Sequence, residues 1–178
     1  MMGNAADPGG ADDGAGEATT ATVRAAVNGG TLRTDDHEEA AMTVIPQELH
    51  DLLAGGHNVW VATVGPDGTP NVSIKGSGAL LDDEHLYFAD MFSHKTRENL
   101  EHDARVAVGI HDPERKVAMQ VKGRAELIDH GEVFDQVNEK LKAISEQLQL
   151  PPMKYVVRIT VESVWDMGPG PHAGEQLE

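Results

Sequence analysis

The chain has no cysteine among its 178 residues. That absence excludes disulfides, zinc–thiolate centres, iron–sulfur clusters and cysteine nucleophiles together. Basic residues are scarce: 14 Lys and Arg stand against 30 Asp and Glu, a formal net charge of −16. A surface that acidic repels phosphate backbones and anionic bilayers, so neither nucleic acid nor a membrane is an expected partner. No run of about 18 apolar residues is present, so no spanning helix is expected. Met1 to Asp13 shows neither a basic nor an apolar region, so no secretory signal is expected. These absences point to a soluble, cytoplasmic protein. An acidic excess of this size also suits a salty cytoplasm.

Aromatic residues make up only 4% of the chain, and residues 1–40 have none. That stretch is rich in Ala, Gly, Asp and Thr, with Arg24 and Arg33 as its only basic residues. Such a segment buries too little apolar surface to offset its conformational entropy. Residues 1–43 are expected to be a disordered acidic tail, either solubilising or partner-binding. Residues 44–167 are expected to be the folded domain, and 168–178, with the run Gly168-Pro-Gly-Pro171, a loop or tail.

What is present reads mainly as strands. Pro46 to Ala54 suits a short helix, with Pro at its start, Leu49, Leu52 and Leu53 on one face and Gly55-Gly56 as a stop. Asn58 to Val64 and Asn71 to Lys75 flank the turn Gly65-Pro-Asp-Gly68 and form a hairpin. Gly78 to Leu81 and His85 to Ala89 form another around Asp82-Asp-Glu84. Arg105 to His111 alternates Val106, Val108 and Ile110 on one face. Val117 to Ile128 and Tyr155 to Val164 are long strands. Between them, Gly131 to Leu150 repeats Phe134, Val137, Leu141, Ile144 and Leu148 at helical spacing. Mainly antiparallel strands with three helices predict a β-barrel with helices outside it.

The chemically informative stretch is Ala89-Asp-Met-Phe-Ser-His-Lys-Thr-Arg-Glu-Asn-Leu100, where a strand gives way to a helix. Ser93 suits an N-cap. Lys95 and Arg97 then fall in the first turn, where the helix dipole disfavours cations. An anion held between them and the backbone amides resolves that conflict, with the Thr96 hydroxyl as a further donor. The residues alone also fit a plain surface helix with both cations solvated. The nine histidines show no metal-ligand spacing, and no serine lies in a Gly-x-Ser-x-Gly context. No metal site and no serine hydrolase are expected.

The succession VWVATVGPDGTPNVSIKGSG, LYFADMFSHKTRENLEHDARVAVGI and VKGRAELIDHGEVFDQV resembles the flavin-binding split-barrel family related to pyridoxamine 5′-phosphate oxidase, in its small FMN-binding-protein branch. The likeness runs from about Pro46 to Trp165 and is most specific in 89–100. It implies a six-stranded antiparallel split barrel, paired as a homodimer with FMN touched by both chains. By this resemblance Lys95 and Thr96 hold the flavin phosphate, supported by Ser93. Ala89, Asp90 and Met91 follow the ribityl chain and ring edge, and Ser73, Ile74 and Lys75 face the isoalloxazine. Lys75 is the candidate cation beside N1 and the C2 carbonyl.

The chain departs from the oxidase itself. His94 precedes the phosphate lysine where Arg is usual, Ala118 stands where a flavin-contacting Gln is usual, and the basic residues that hold pyridoxal phosphate are not recognisable. The expectation is an FMN-dependent oxidoreductase or flavin reductase with an electron donor such as NAD(P)H and no named catalytic residue. The alternatives are a flavin carrier, or the same barrel with a deazaflavin or haem. The stretch Trp165 to His172 is a candidate cover for the flavin.

Overall fold

The computed structural model describes residues 45–177; the expected tail, 1–43, lies outside the described residues. Among the described residues three helices and eight strands follow in the order α1 (Gln47–Ala54), β1 (Val59–Val64), β2 (Pro70–Lys75), β3 (Ala79–Leu80), β4 (His85–Asp90), α2 (Lys95–His102), β5 (Arg105–Asp112), β6 (Val117–Ile128), α3 (Glu132–Leu148), β7 (Tyr155–Asp166) and β8 (Gln176–Leu177). The six long strands are those of the expected barrel, and β3 and β8 add two residues each.

The strands form one sheet in the order β2-β1-β5-β6-β7-β4-β3, with β8 added to β7, and every pairing is antiparallel. β2 and β3 are consecutive in the chain yet occupy the two ends of the path. The sheet therefore curls into a half-barrel that stays open between them. That opening is the split.

Alternation decides what lies inside. Val59, Val61 and Thr63 of β1 and Val106, Val108 and Ile110 of β5 are buried, and their neighbours in the strands are not. The apolar ones among them join Leu49 and Leu52 of α1, Phe88, Val121, Ile159 and Val161 in the main core. Fully burying such a side chain stabilises by about 1.5–3 kcal/mol. A second, smaller cluster forms on the other face of β4 and β7, where Val137, Phe134 and Leu141 of α3 pack on Tyr87, Ala89 and Val156. Both faces are covered there, which is why Tyr155, Val156 and Val157 are buried in succession.

The β6–β7 register shifts between Lys122 and Gly123, which pair with Ser163 and Val161, so β7 carries one extra residue, Glu162. A Cβ on Gly123 would lie 2.1 Å from the Thr160 carbonyl oxygen, so any side chain there pushes β7 away. The stretch after Met167, expected as a loop or tail, turns back: Leu177 pairs with Val164 and Gln176 with Trp165. The turn holds through the amide of Gly174 on the Asp166 carbonyl at 2.8 Å. No helix among the described residues is long and apolar enough to cross a membrane.

Candidate functional site

A groove of about 390 Å³ opens at the split, between the end of β2 with its 76–78 connection, the end of β4, and α3. Ser73, Ile74, Lys75, Ala89, Asp90, Met91 and Ser93 all line it. Among the described residues β2 is an edge strand, paired to β1 alone, and no other described strand takes up the main-chain groups on its outer side. Across the groove, Ser77 closes the sheet locally. Its hydroxyl accepts the Ala89 amide at 3.0 Å and contacts the Ala89 carbonyl at 3.2 Å.

Beneath the groove floor lies a buried polar network. The Asp90 carboxylate accepts the Ser93 amide at 2.8 Å and the Phe92 amide at 3.2 Å through Oδ1, and Lys75 Nζ at 3.1 Å through Oδ2. Lys75 also donates to the Ser93 hydroxyl and lies 5.2 Å from the Phe88 ring centroid. Burial by itself raises the Asp90 pKa, but the Ser93 hydrogen bonds and the Lys75 ammonium outweigh it and hold the carboxyl below its ordinary value. Tyr155 donates its hydroxyl to the Ser93 carbonyl at 3.1 Å. Its own pKa is pushed up to about 12, first by burial and then by the Asp90 charge.

This network fixes the turn that leads into α2, and it revises two local expectations. The helix begins at Lys95, and its cap residue is His94, with helical φ −98° and ψ −51° and no side-chain hydrogen bond to the helix. Ser93 is not the cap. Lys75 engages its hydroxyl, and its carbonyl and amide belong to the turn. Without a side-chain cap, the first-turn N–H groups of α2 keep their donors for an incoming anion. Nor is Lys75 a free cation, since Asp90 matches its charge.

Lys95 and Thr96 sit at the adjoining helix start and do not line the groove itself. Thr96 is buried, with its hydroxyl 3.1 Å from that of Ser73. Lys95 is exposed and pairs with Glu98 at 3.3 Å, and Arg97 pairs with Glu101 at 2.7 Å. The Ser73–Thr96 contact, made at a buried hydroxyl, ties the outer edge of β2 to the amino end of α2. None of Trp165–His172 lines the groove of its own chain; Gly168, Pro169 and Gly170 border a different opening, beside Pro46 and Lys116. The Trp165 indole donates to Ser163 Oγ at 2.8 Å, with Lys122 Nζ 4.4 Å from its ring centroid.

Sequence reasoning missed four contributors. Ser77 carries no motif and is found only by geometry. Tyr155 reads only as the start of a strand, and spacing does not reveal the target of its hydroxyl. Helical spacing puts Ile144 and Leu148 on the face shared with Val137, but does not show that they wall the groove.

Comparison with known proteins places this architecture. The family model for pyridoxamine 5′-phosphate oxidase matches residues 45–168. An uncharacterized protein of Methanocaldococcus jannaschii is 32% identical over 121 residues, which is 67% of this chain and 78% of that protein. The crystal structure of HupZ from Group A Streptococcus superposes with a TM-score of 0.63 at 28% identity, covering 73% of this chain and 99% of HupZ. An FMN-binding protein from Syntrophomonas wolfei shares the fold, with a TM-score of 0.56 at 16% identity over 68% of this chain and 85% of its own.

Proposed function

The chain belongs to the pyridoxamine 5′-phosphate oxidase family, and on that premise we propose that it is an FMN-binding oxidoreductase acting on a small molecule. The observation that carries the proposal is the direct junction of β2 with the start of α2. The unpaired edge of β2 runs through the Ser73–Thr96 contact into the uncapped, cation-bearing start of α2. An elongated ligand with a heterocyclic edge at one end and a phosphate monoester at the other matches that donor set.

In this reading the first-turn amides of α2, the Thr96 hydroxyl and the Lys95 ammonium hold the phosphate. Ala89, Asp90 and Met91 follow the ribityl chain and ring edge, and the main chain of Ser73–Lys75 faces the ring. Ser93 acts from behind by holding the turn. Bound FMN would supply two-electron hydride chemistry at its ring. The chain's share is to orient and desolvate the ring, with the Lys75–Asp90 pair keeping the floor rigid. An FMN-binding fold neighbour accords with this choice of cofactor.

We extend the proposal to a homodimer. Trp60, Val64, Val72 and Ile74 are exposed. The register sets Trp60 against Ile74, and Ala62 lies between Val72 and Ala107. They form one apolar face of the β1–β2–β5 sheet that continues through Ile74 into the groove. A second copy laid on that face covers it and the open side of the flavin.

The absorbance spectrum of the purified protein tests the cofactor. FMN bands that survive dialysis support the proposal, whereas a single deazaflavin band or a Soret band replaces it. Flavin reduction by NAD(P)H distinguishes enzyme from carrier. A dimer mass by light scattering at micromolar concentration supports the pairing, and a monomer that retains its flavin contradicts it.

A further inference from the structure

Resting on the flavoprotein reading, we propose that the α3 side of the groove takes a flat, uncharged, apolar molecule, and that this wall selects against phosphorylated substrates. The first observation is a stripe that outruns the core. Val137, Leu141, Ile144 and Leu148 share one face of α3. Val137 is fully buried and Leu141 packs in the second cluster. Ile144 and Leu148 are then 52% and 60% exposed. Past Leu141 the same apolar face covers the groove instead of the core. On the facing rim Phe92 is 65% exposed, although its neighbours Asp90 and Ser93 are tied into the turn network.

The second observation is charge. Fifteen residues line the groove, and among these described residues only Lys75 and Asp90 are ionisable. They neutralise one another at 3.1 Å, nearly buried. Lys95 and Arg97, the nearby exposed cations, belong to the phosphate turn outside this wall. An anionic substrate would therefore meet no unmatched cation among the residues that line the groove, in a chain whose net charge is −16. A neutral ring placed between Phe92 and the Ile144–Leu148 pair meets complementary apolar surface and gives up no charge hydration.

A ring-matched pair of probes that differ in charge tests this. Protein saturated with FMN would be dialysed to equilibrium against 2-naphthol and, separately, against 2-naphthyl phosphate, which keeps the ring and adds the anion. The expected result is naphthol binding at one site per chain and naphthyl phosphate binding at least tenfold weaker. The variant Ile144→Gln/Leu148→Gln, at exposed helix positions, should lower naphthol affinity at least tenfold. It should leave FMN affinity within twofold and the light-scattering mass unchanged. Equal binding of the two probes, or a variant that binds naphthol like the parent, overturns the proposal. A variant that loses FMN makes the wall a flavin contact, and one that changes mass makes it a subunit interface; either result also overturns it. Failure of the parent protein to bind FMN at the outset would instead remove the flavoprotein reading, so the two failures are separable.

Discussion

Lys75 and Lys95 lie on either side of the same turn, and their ion pairs belong to different physical regimes. Lys75 and Asp90 are buried, and the carboxylate accepts two amides and the ammonium. Lys95 and Arg97 are half-exposed, and each holds a Glu three or four residues along the helix. A buried pair that loses one member leaves a desolvated charge behind. An exposed pair contributes roughly 0–1 kcal/mol and re-forms readily with another partner. The first arrangement makes a frame for the turn. The second makes cations that an incoming phosphate can recruit without disturbing the fold.

The largest effect should come from breaking the frame. Lys75→Met strands the Asp90 carboxylate and should reduce unfolding free energy by about 3–5 kcal/mol, read from urea melts. Adding Asp90→Leu should restore most of that loss, because two apolar groups replace two charges. If Lys75→Met melts within about 1 kcal/mol of the parent, the buried pair does not hold the turn, and the contrast between the two lysines disappears.

Lys95→Ala should reverse the pattern. Flavin affinity should weaken by about 1.5–3 kcal/mol, the range for a hydrogen bond to a charged group. Stability should change by no more than about 1 kcal/mol, as for other surface pairs. Unchanged flavin affinity, measured by fluorescence titration, would detach Lys95 from the phosphate and leave α2 a plain surface helix.

The two lysines also show how far the sequence could be read. The long strands followed from alternation, and α1 and α3 from helical spacing. The two cations in the first turn of α2 fitted a plain surface helix as well as an anion site, and only the family resemblance singled out the strand-to-helix junction. The partner of Lys75 did not, because Lys75 and Asp90 are fifteen residues apart, and only the closure of β2 toward β4 brings them together. Ser93 was misassigned because a Ser before a helix normally caps it, whereas here a tertiary partner, Lys75, takes its hydroxyl. The α3 stripe was visible as a period. A period does not say whether the face meets core or cavity.

Acid should separate the two regimes further. The Asp90 pKa is lowered in the folded chain from its ordinary value of 3.8. Its contribution to stability is therefore complete above that value and is lost as pH falls toward the folded pKa. Parent and Asp90→Asn should show a stability difference that is constant from pH 7 to about 5 and narrows below about pH 4. A difference that stays constant down to pH 2.5 would mean that Asp90 carries no depressed pKa. The exposed pairs should add little to this difference, and raising salt should leave it largely intact.

The smallest effect tests the last support of the turn. The Tyr155 ring is buried in the main core, and its hydroxyl reaches the Ser93 carbonyl at 3.1 Å. Tyr155→Phe keeps the ring and removes one hydrogen bond, so stability should fall by about 0.5–1.5 kcal/mol. Alkali supplies the sharper test. The tyrosine pKa is pushed up to about 12, so this contribution is complete below the unfolded value near 10 and is lost as pH rises through the folded one. The gap between parent and Tyr155→Phe should be flat from pH 7 to about 9.5 and should close as pH approaches about 12. Lysine and arginine titrations are common to both proteins and cancel in the difference. A gap that persists unchanged at pH 11.5 would mean that burial and the Asp90 charge do not raise the tyrosine pKa. The hydrogen bond to Ser93 is read from the gap at neutral pH, and its absence there would leave the turn to Asp90 and Lys75, the buried pair carrying more of the frame than its two amide contacts suggest.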